Sequence, residues 1–263
     1  MKEIIHDPAA ANWIGLRTLY MREVRRFTKV YTQTIMAPVV TTLLFLAVFS
    51  LALGGSHRVV AGLSFVQFLA PGLIMMAITQ NAFANTSSSI MVSKVQGNIV
   101  DILMPPFTAY ELWLALVMGG ASRGIAVGLA VGIAMTFFVD LGLHAPVYIL
   151  FHAFLASVML SQLGLIGGIW AEKFDHMAAI TNFIITPLAF LSGTFYSIQR
   201  LPETFQAIAH FNPFFCMIDG FRYGVIGHAD GNLTTGLAIM IGINAALWLV
   251  CTRILHNGYK LKA

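Results

Sequence analysis

Apolar residues fall in six long runs separated by short polar stretches, over 34–53, 64–92, 112–139, 147–170, 178–196 and 233–252. About 20 apolar residues cross a bilayer as a helix, so each run predicts one span. The second and third runs exceed that length and are expected to tilt or to project beyond the lipid. Ahead of the first run the pattern changes. Trp13, Leu16, Tyr20, Val24, Phe27 and Tyr31 recur at three- and four-residue steps, while Arg22, Arg25, Arg26 and Lys29 take the other face. This predicts an amphipathic helix lying among the lipid headgroups with its apolar side down. Each cation near an anionic leaflet adds about 1 kcal/mol to such an attachment. Two readings stand for it: a membrane anchor alone, or an anchor that also docks a partner.

Two connections between the runs carry structure of their own. In 93–111, SKVQGNIVDILMPPFTAYE, the residues Val95, Ile99, Ile102 and Leu103 would share one face of a short helix. Pro105 and Pro106 must end it, because proline lacks the donor and restricts its predecessor. A helix along the membrane surface and a plain connecting loop are the alternatives. The segment 197–228 is apolar but is interrupted by Arg200, Pro202, Glu203, Asn212, Pro213, Asp219 and Arg222. It predicts a non-spanning pair of short helices divided at Pro202 and Pro213. Asp219 and Arg222, three apart on one turn, are spaced to pair. The span before it is expected to kink near Pro187.

Composition fixes the class. Of 263 residues, 58% are hydrophobic and 10% are charged, with mean hydropathy +0.80. Soluble domains carry about 25% charged residues. The chain therefore reads as an all-α integral membrane protein forming one domain over 1–263. Residues 1–33 hold the amphipathic helix, 34–252 the six-span bundle and 253–263 a basic tail. The start of the chain lacks the short basic region, short apolar core and small-residue cleavage site of a secretory signal. Cys216 and Cys251 are too few for a disulfide framework. Orientation follows from the cations. One side would hold Lys2, Arg17, Arg22, Arg25, Arg26, Lys29, Lys94, Lys173, Arg253, Lys260 and Lys262, and the other only Arg58, Arg200 and Arg222. That asymmetry predicts both termini in the cytoplasm.

Polar groups inside the spans are few. The second span carries Gln80, Asn81, Asn85 and the run Thr86–Ser89, which either bond between helices or line a polar path. In the third, Gly120, Gly124, Gly128 and Gly132 repeat every four residues and predict a close helix contact with an unspecified partner. A second copy of the chain is one candidate. Arg123 lies within that ridge. It either snorkels to the inner surface or binds a phosphate or carboxylate. His152 reads as a packed hydrogen-bonding residue. No glycine precedes a lysine, so no GxxxxGK[ST] phosphate loop exists. HExxH, CxxC and GxSxG are absent too. No catalytic residue, metal ligand set, cofactor or nucleic-acid site is predicted.

With these elements in place, the chain resembles the permease subunits of type 2 ABC exporters. The likeness covers nearly the whole length. It is closest in QFLAPGLIMMAITQNAFANTSSSI (67–90), PLAFLSGTFYSIQRLP (187–202) and HFNPFFCMIDGFRYG (210–224). The nearest branch is bacterial and includes permeases of drug and nodulation lipo-oligosaccharide exporters. The resemblance implies an inner-membrane half-transporter: two permease chains with two copies of a separate ATPase subunit, which carries the ATP and magnesium. Gly97, Asn98, Ile99, Val100, Asp101, Ile102 and Leu103 would form the coupling helix against that ATPase, with 171–177 a smaller contact. Arg22, Arg25, Arg26 and Lys29 would mark an interface helix. Pro202, Pro213, Asp219 and Arg222 would belong to an outer re-entrant gate, and Gln80, Asn81, Asn85 and Arg123 to the path or its packing. An amphipathic, lipid-linked or drug-like substrate is implied. The rivals are an ion-coupled secondary transporter or channel and an intramembrane enzyme acting on lipid.

Overall fold

The computed structural model describes residues 12–53, 59–60 and 62–260. Lys2, Arg58 and Lys262, counted above among the cations, lie outside them. Six helical stretches are long and apolar enough to cross a membrane: Thr32–Ala52, Phe65–Val95, Ala109–Thr136, Pro146–Trp170, Phe174–Leu191 and Leu233–Asn257. The predicted number of spans holds, and their ends shift by a few residues.

Helix α1 (Trp13–Lys29) stops at Val30 and gives way to a π turn, Thr32–Met36, that opens the first span. The Thr34 hydroxyl fixes this corner by donating to the carbonyls of Phe27 and Val30 at 2.7 and 3.1 Å. Helix α2 (Ala37–Leu53) completes the span. Among the described residues the exception to an all-helical chain is a two-strand hairpin, Val59–Val60 with Leu63–Ser64, leading into α3.

Helix α3 (Phe65–Val95) is the axis of the molecule, buried over most of its length. Helices α5 (Ala109–Thr136) and α6 (Pro146–Trp170) pack along it. Their approach depends on missing side chains. A Cβ on Gly124 would come within 2.9 Å of the Ile78 carbonyl, and one on Gly164 within 2.5 Å of the Phe83 carbonyl. At Gly120 and Gly124 the ridge predicted in the third span therefore contacts α3 and α6 inside this chain, and at Gly128 it contacts α3. Gly132 stands apart, with open space beside it.

Two short helical elements follow the predicted plan with altered bounds. Helix α4 spans Ile99–Leu103, shorter than the predicted 97–103. Gly97 turns the chain with φ of 73°, and Asn98 flanks the helix start. Ile99 and Ile102 share a buried face, whereas Val95, at the end of α3, is exposed. The fifth span comprises α7 (Phe174–Ile180), a π turn (Thr181–Ile185) and α8 (Thr186–Leu191), so the interruption sits just ahead of Pro187. It ends at Leu191, short of the predicted 196. The reason is local: Gly193 takes φ of 75°, and Thr194 donates back to the Ala189 carbonyl at 2.6 Å. Helices α9 (Glu203–His210) and α10 (Pro213–Ile226) come next, then the last span, α11 (Leu233–Asn257). Pro202 and Pro213 head α9 and α10, where proline's fixed φ and missing donor are tolerated.

Counting the six candidate spans in order puts α1, α4 and the connection at 171–173 at one end of the bundle. Helices α9 and α10 belong to the opposite side.

Candidate functional site

At the end that also holds α4, α1 docks against α5 and carries charge into the protein. The face that α1 buries in the protein overlaps the predicted apolar stripe at Phe27 alone. Leu19, Glu23 and Phe27 are buried, whereas Trp13 and Tyr31 are exposed. Gly119 on α5 permits the contact, since a Cβ there would meet Glu23 Cβ at 2.5 Å. The Glu23 carboxylate has no exposed surface. It accepts from the Ser89 hydroxyl at 2.7 Å and from the Arg26 guanidinium at 3.2 Å. Arg26 also donates to Ser88 Oγ at 3.0 Å, to Asn85 Oδ1 at 3.0 Å and to the Asn85 carbonyl at 2.5 Å. Arg26 was predicted on the headgroup face with Arg22, Arg25 and Lys29. It points inward instead, because a buried carboxylate one turn away and the polar flank of α3 outcompete solvent. Arg22, Arg25 and Lys29 are exposed.

Two further bonds tie α1 to α5. The Tyr20 hydroxyl lies 2.8 Å from Ser122 Oγ, and the Asn12 amide donates to Glu111 Oε1 at 2.6 Å. Glu111 also closes a capping box with Thr108 at the start of α5. Glu23 and Glu111 escaped the sequence reading. The Thr108-x-x-Glu111 spacing is itself a capping signature, and Glu23 stands three residues before Arg26, an ion-pair spacing.

Asn81 and Arg123 form a second polar contact beside the first. Arg123 Nη2 donates to Asn81 Oδ1 at 2.9 Å, and Asn81 Nδ2 donates to the Ala77 carbonyl at 3.0 Å. Arg123 thus bonds across to the neighbouring helix α3. Gln80 is half-buried and faces a cleft between the first span and α3. Asn81 lines the same cleft and links it to Arg123, whereas Asn85 bonds Arg26.

Helix α4 lies at the same end. Ile99 and Ile102 anchor it in the apolar cluster that also holds Leu19, Leu112 and Leu116. Val100 and Met104 are exposed, as are Gly97, Asn98 and Asp101, and Leu103 is half-buried. Lys94 caps the end of α6, donating to the carbonyls of Ile169 and Ala171 at 2.7 and 2.6 Å. Lys260 pairs with Glu172 at 2.9 Å and holds that carboxyl below its ordinary pKa.

At the opposite end, Arg222 on α10 is completely buried. It donates to the Gly193 carbonyl at 2.6 Å and lies 4.0 Å from the centre of the Phe68 ring on α3. The turn 192–196 is thus clasped between α10 and α3. A Cβ on Gly72 would meet the Thr194 carbonyl at 2.8 Å. Asp219 does not pair with Arg222. Its oxygens accept from the amides of Asp230 and Gly231 at 2.8 and 2.9 Å, holding the loop before α11. Burial pushes its carboxyl pKa up, opposed by those amides and by the charge of Arg222. His152 is a packed hydrogen-bonding residue: its Nδ1 lies 2.9 Å from the Tyr148 carbonyl, and its ring rests on Gly220. The motif residues SGTFY and FRYG therefore build one clasp from three elements.

A family model described as ABC-2 type transporter matches residues 15–226, from α1 through α10. The chain belongs to the ABC-2 type transporter family. The inner membrane transport permease YadH of Escherichia coli (strain K12) is similar, 35% identical over 251 residues, covering 95% of this chain and 98% of YadH. Nodulation protein J of Rhizobium leguminosarum bv. viciae is 23% identical over 247 residues, covering 94% of each chain. Nodulation protein J of Rhizobium meliloti (strain 1021) is 24% identical over 222 residues, 82% of each. As an ABC-2 protein, the chain is a multi-pass transmembrane subunit of an ABC transporter, and the family implies an ABC ATPase partner in general.

Proposed function

We propose that this chain is the permease of an ATP-driven exporter in the inner membrane of a bacterium, with both termini cytoplasmic. Two copies form the translocation path, and each engages one copy of a separate ATPase subunit. The cargo is amphipathic, lipid-linked or drug-like. One observation carries the reading: α4 is anchored by Ile99 and Ile102 but leaves Val100 and Met104 exposed, beside the charged joint that binds α1 to α3 and α5. A helix held on its inner face and bare on its outer face is suited to receive another protein. The joint behind it would pass the displacement to the central helix.

The test is reconstitution of the permease with its ATPase. Val100→Glu and Met104→Glu are expected to abolish co-purification and ATP-driven export while leaving the melting profile of the permease intact. Export by the purified chain alone, in vesicles without ATP, would overturn the reading.

A further inference from the structure

A cavity of about 220 Å³ opens where α10 meets α6, α11 and the end of α9. Asn232 and Thr235, both exposed, form its rim, and Phe215 and Leu233 its walls. Its floor holds His152 and Asp219, which are 1% and 3% exposed. Each Asp219 oxygen takes one backbone amide, and a carboxylate oxygen has two lone pairs, so acceptor capacity remains on both. Arg222, one turn further along α10, gives its Nη2 to the Gly193 carbonyl and its face to Phe68. No lysine or arginine lines the cavity among the described residues. His152 adds a second acceptor. Its Nδ1 lies 2.9 Å from the Tyr148 carbonyl, which can only accept, so Nδ1 carries the proton and the neutral ring keeps a lone pair on Nε2. That nitrogen has no hydrogen-bond partner among the described residues. The two floor residues are close enough to interact electrostatically. The cavity therefore presents acceptors and a negative charge, with no cationic donor of its own.

We propose that this cavity binds a primary ammonium group, with the Asp219 carboxylate as its counter-charge, His152 Nε2 and the Thr235 hydroxyl as further acceptors, and the attached carbons against Phe215 and Leu233. An ammonium brings a positive charge and three donors together. A quaternary ammonium brings the charge without the donors, and a sugar hydroxyl a donor without the charge. Burial pushes the Asp219 carboxyl pKa up, and a cation beside it favours the ionised form, so binding and ionisation support one another. The site lies away from α4 and the charged joint, and it stands whether or not the export reading does.

Titration of the permease–ATPase complex, in phosphatidylcholine nanodiscs without ATP, with tritiated butylamine tests this. Saturable binding is expected, with tetramethylammonium at least tenfold weaker as a competitor. Asp219→Asn should weaken butylamine at least tenfold. Thr235→Trp, at the exposed rim, should fill the mouth and do the same while leaving the amides that Asp219 holds untouched, so loosening of the loop before α11 is told apart from loss of the site. Displacement by phosphatidylethanolamine built into the disc, and not by free ethanolamine, would assign the ammonium to a lipid head group; the reverse would assign it to a soluble amine, and both sustain the site. Absence of saturable binding overturns the proposal. So does equal competition by tetramethylammonium, or by sodium, which would mark a site for charge alone. So does binding that persists in either variant.

Discussion

Glu23 shows how a single residue can redirect a helix. Apolar spacing puts Leu16, Tyr20 and Phe27 on the lipid-facing side of α1 and Arg26 on the opposite side. That assignment fails at Arg26, because the partners that draw it inward are Asn85, Ser88 and Ser89, about sixty residues later in the chain. Periodicity within one segment carries no record of them. The same holds for Asp219 and Arg222, whose helical spacing permits a pair that stronger partners pre-empt: two backbone amides for one, a carbonyl and a ring for the other. Removing Glu23 takes the one carboxylate from a half-buried Arg26 and leaves the Ser89 hydroxyl without its acceptor. Glu23→Ala is therefore expected to lower the thermal midpoint of the solubilised protein sharply. The double variant Glu23→Ala, Arg26→Ala should lose clearly less than the sum of the two single losses. Additive losses would mean that the two side chains act independently.

At the scale of the element, the glycine ridge was legible as a close approach but not as an address. Four glycines in step say that one face of α5 is bare, and nothing in that segment says what meets it. The structure gives the answer in the small residues across the seam, Ala82 on α3 and Ser157 and Ser161 on α6. Gly132, identical in the pattern, meets nothing within 4 Å. The two glycines should therefore respond oppositely to a methyl group. Gly120→Ala forces Thr86 and Ser161 aside and is expected to destabilise by about 1–3 kcal/mol. Gly132→Ala gains helix propensity and should be neutral or stabilising by up to roughly 1 kcal/mol. Thermal midpoints of the two variants in one detergent decide it. The α4 region was similarly half readable: its stop at Pro105 is local chemistry, whereas its start depends on the turn at Gly97 and on which isoleucines find the apolar cluster.

For the molecule as a whole, hydropathy alone gave the number of spans, since bilayer thickness sets helix length independently of fold. The arrangement of those spans needed contacts between distant segments. Helix α3 and its two glycine-seamed neighbours form a dense centre, while the first, fifth and last spans are largely bare on their outer faces. The even span count makes a sided prediction. Glu172→Cys, at the end of α1 and α4, and Asp140→Cys, at the other, should react with a membrane-impermeant maleimide from opposite faces of oriented vesicles. With the termini cytoplasmic, Asp140→Cys is the one labelled in intact cells, and labelling of Glu172→Cys instead would invert the orientation. The native cysteines are buried and should stay silent.

The first and fifth spans also share a π turn, Thr32–Met36 at the start of the first and Thr181–Ile185 in the middle of the fifth. Such a turn holds one residue more than the α-helical turn it replaces, so each span contains a spare residue of length. Loss of Ile35 from the chain would let the turn rewind as ordinary α-helix. Every residue before it would then swing by about 100° relative to α2, the angular step of one residue. Glu23 would leave Ser89, and the charged joint would come apart although no residue within it had changed. The register of the first helix is therefore set by a length of chain, and a lineage that shortened this corner would have to rebuild the joint with different residues.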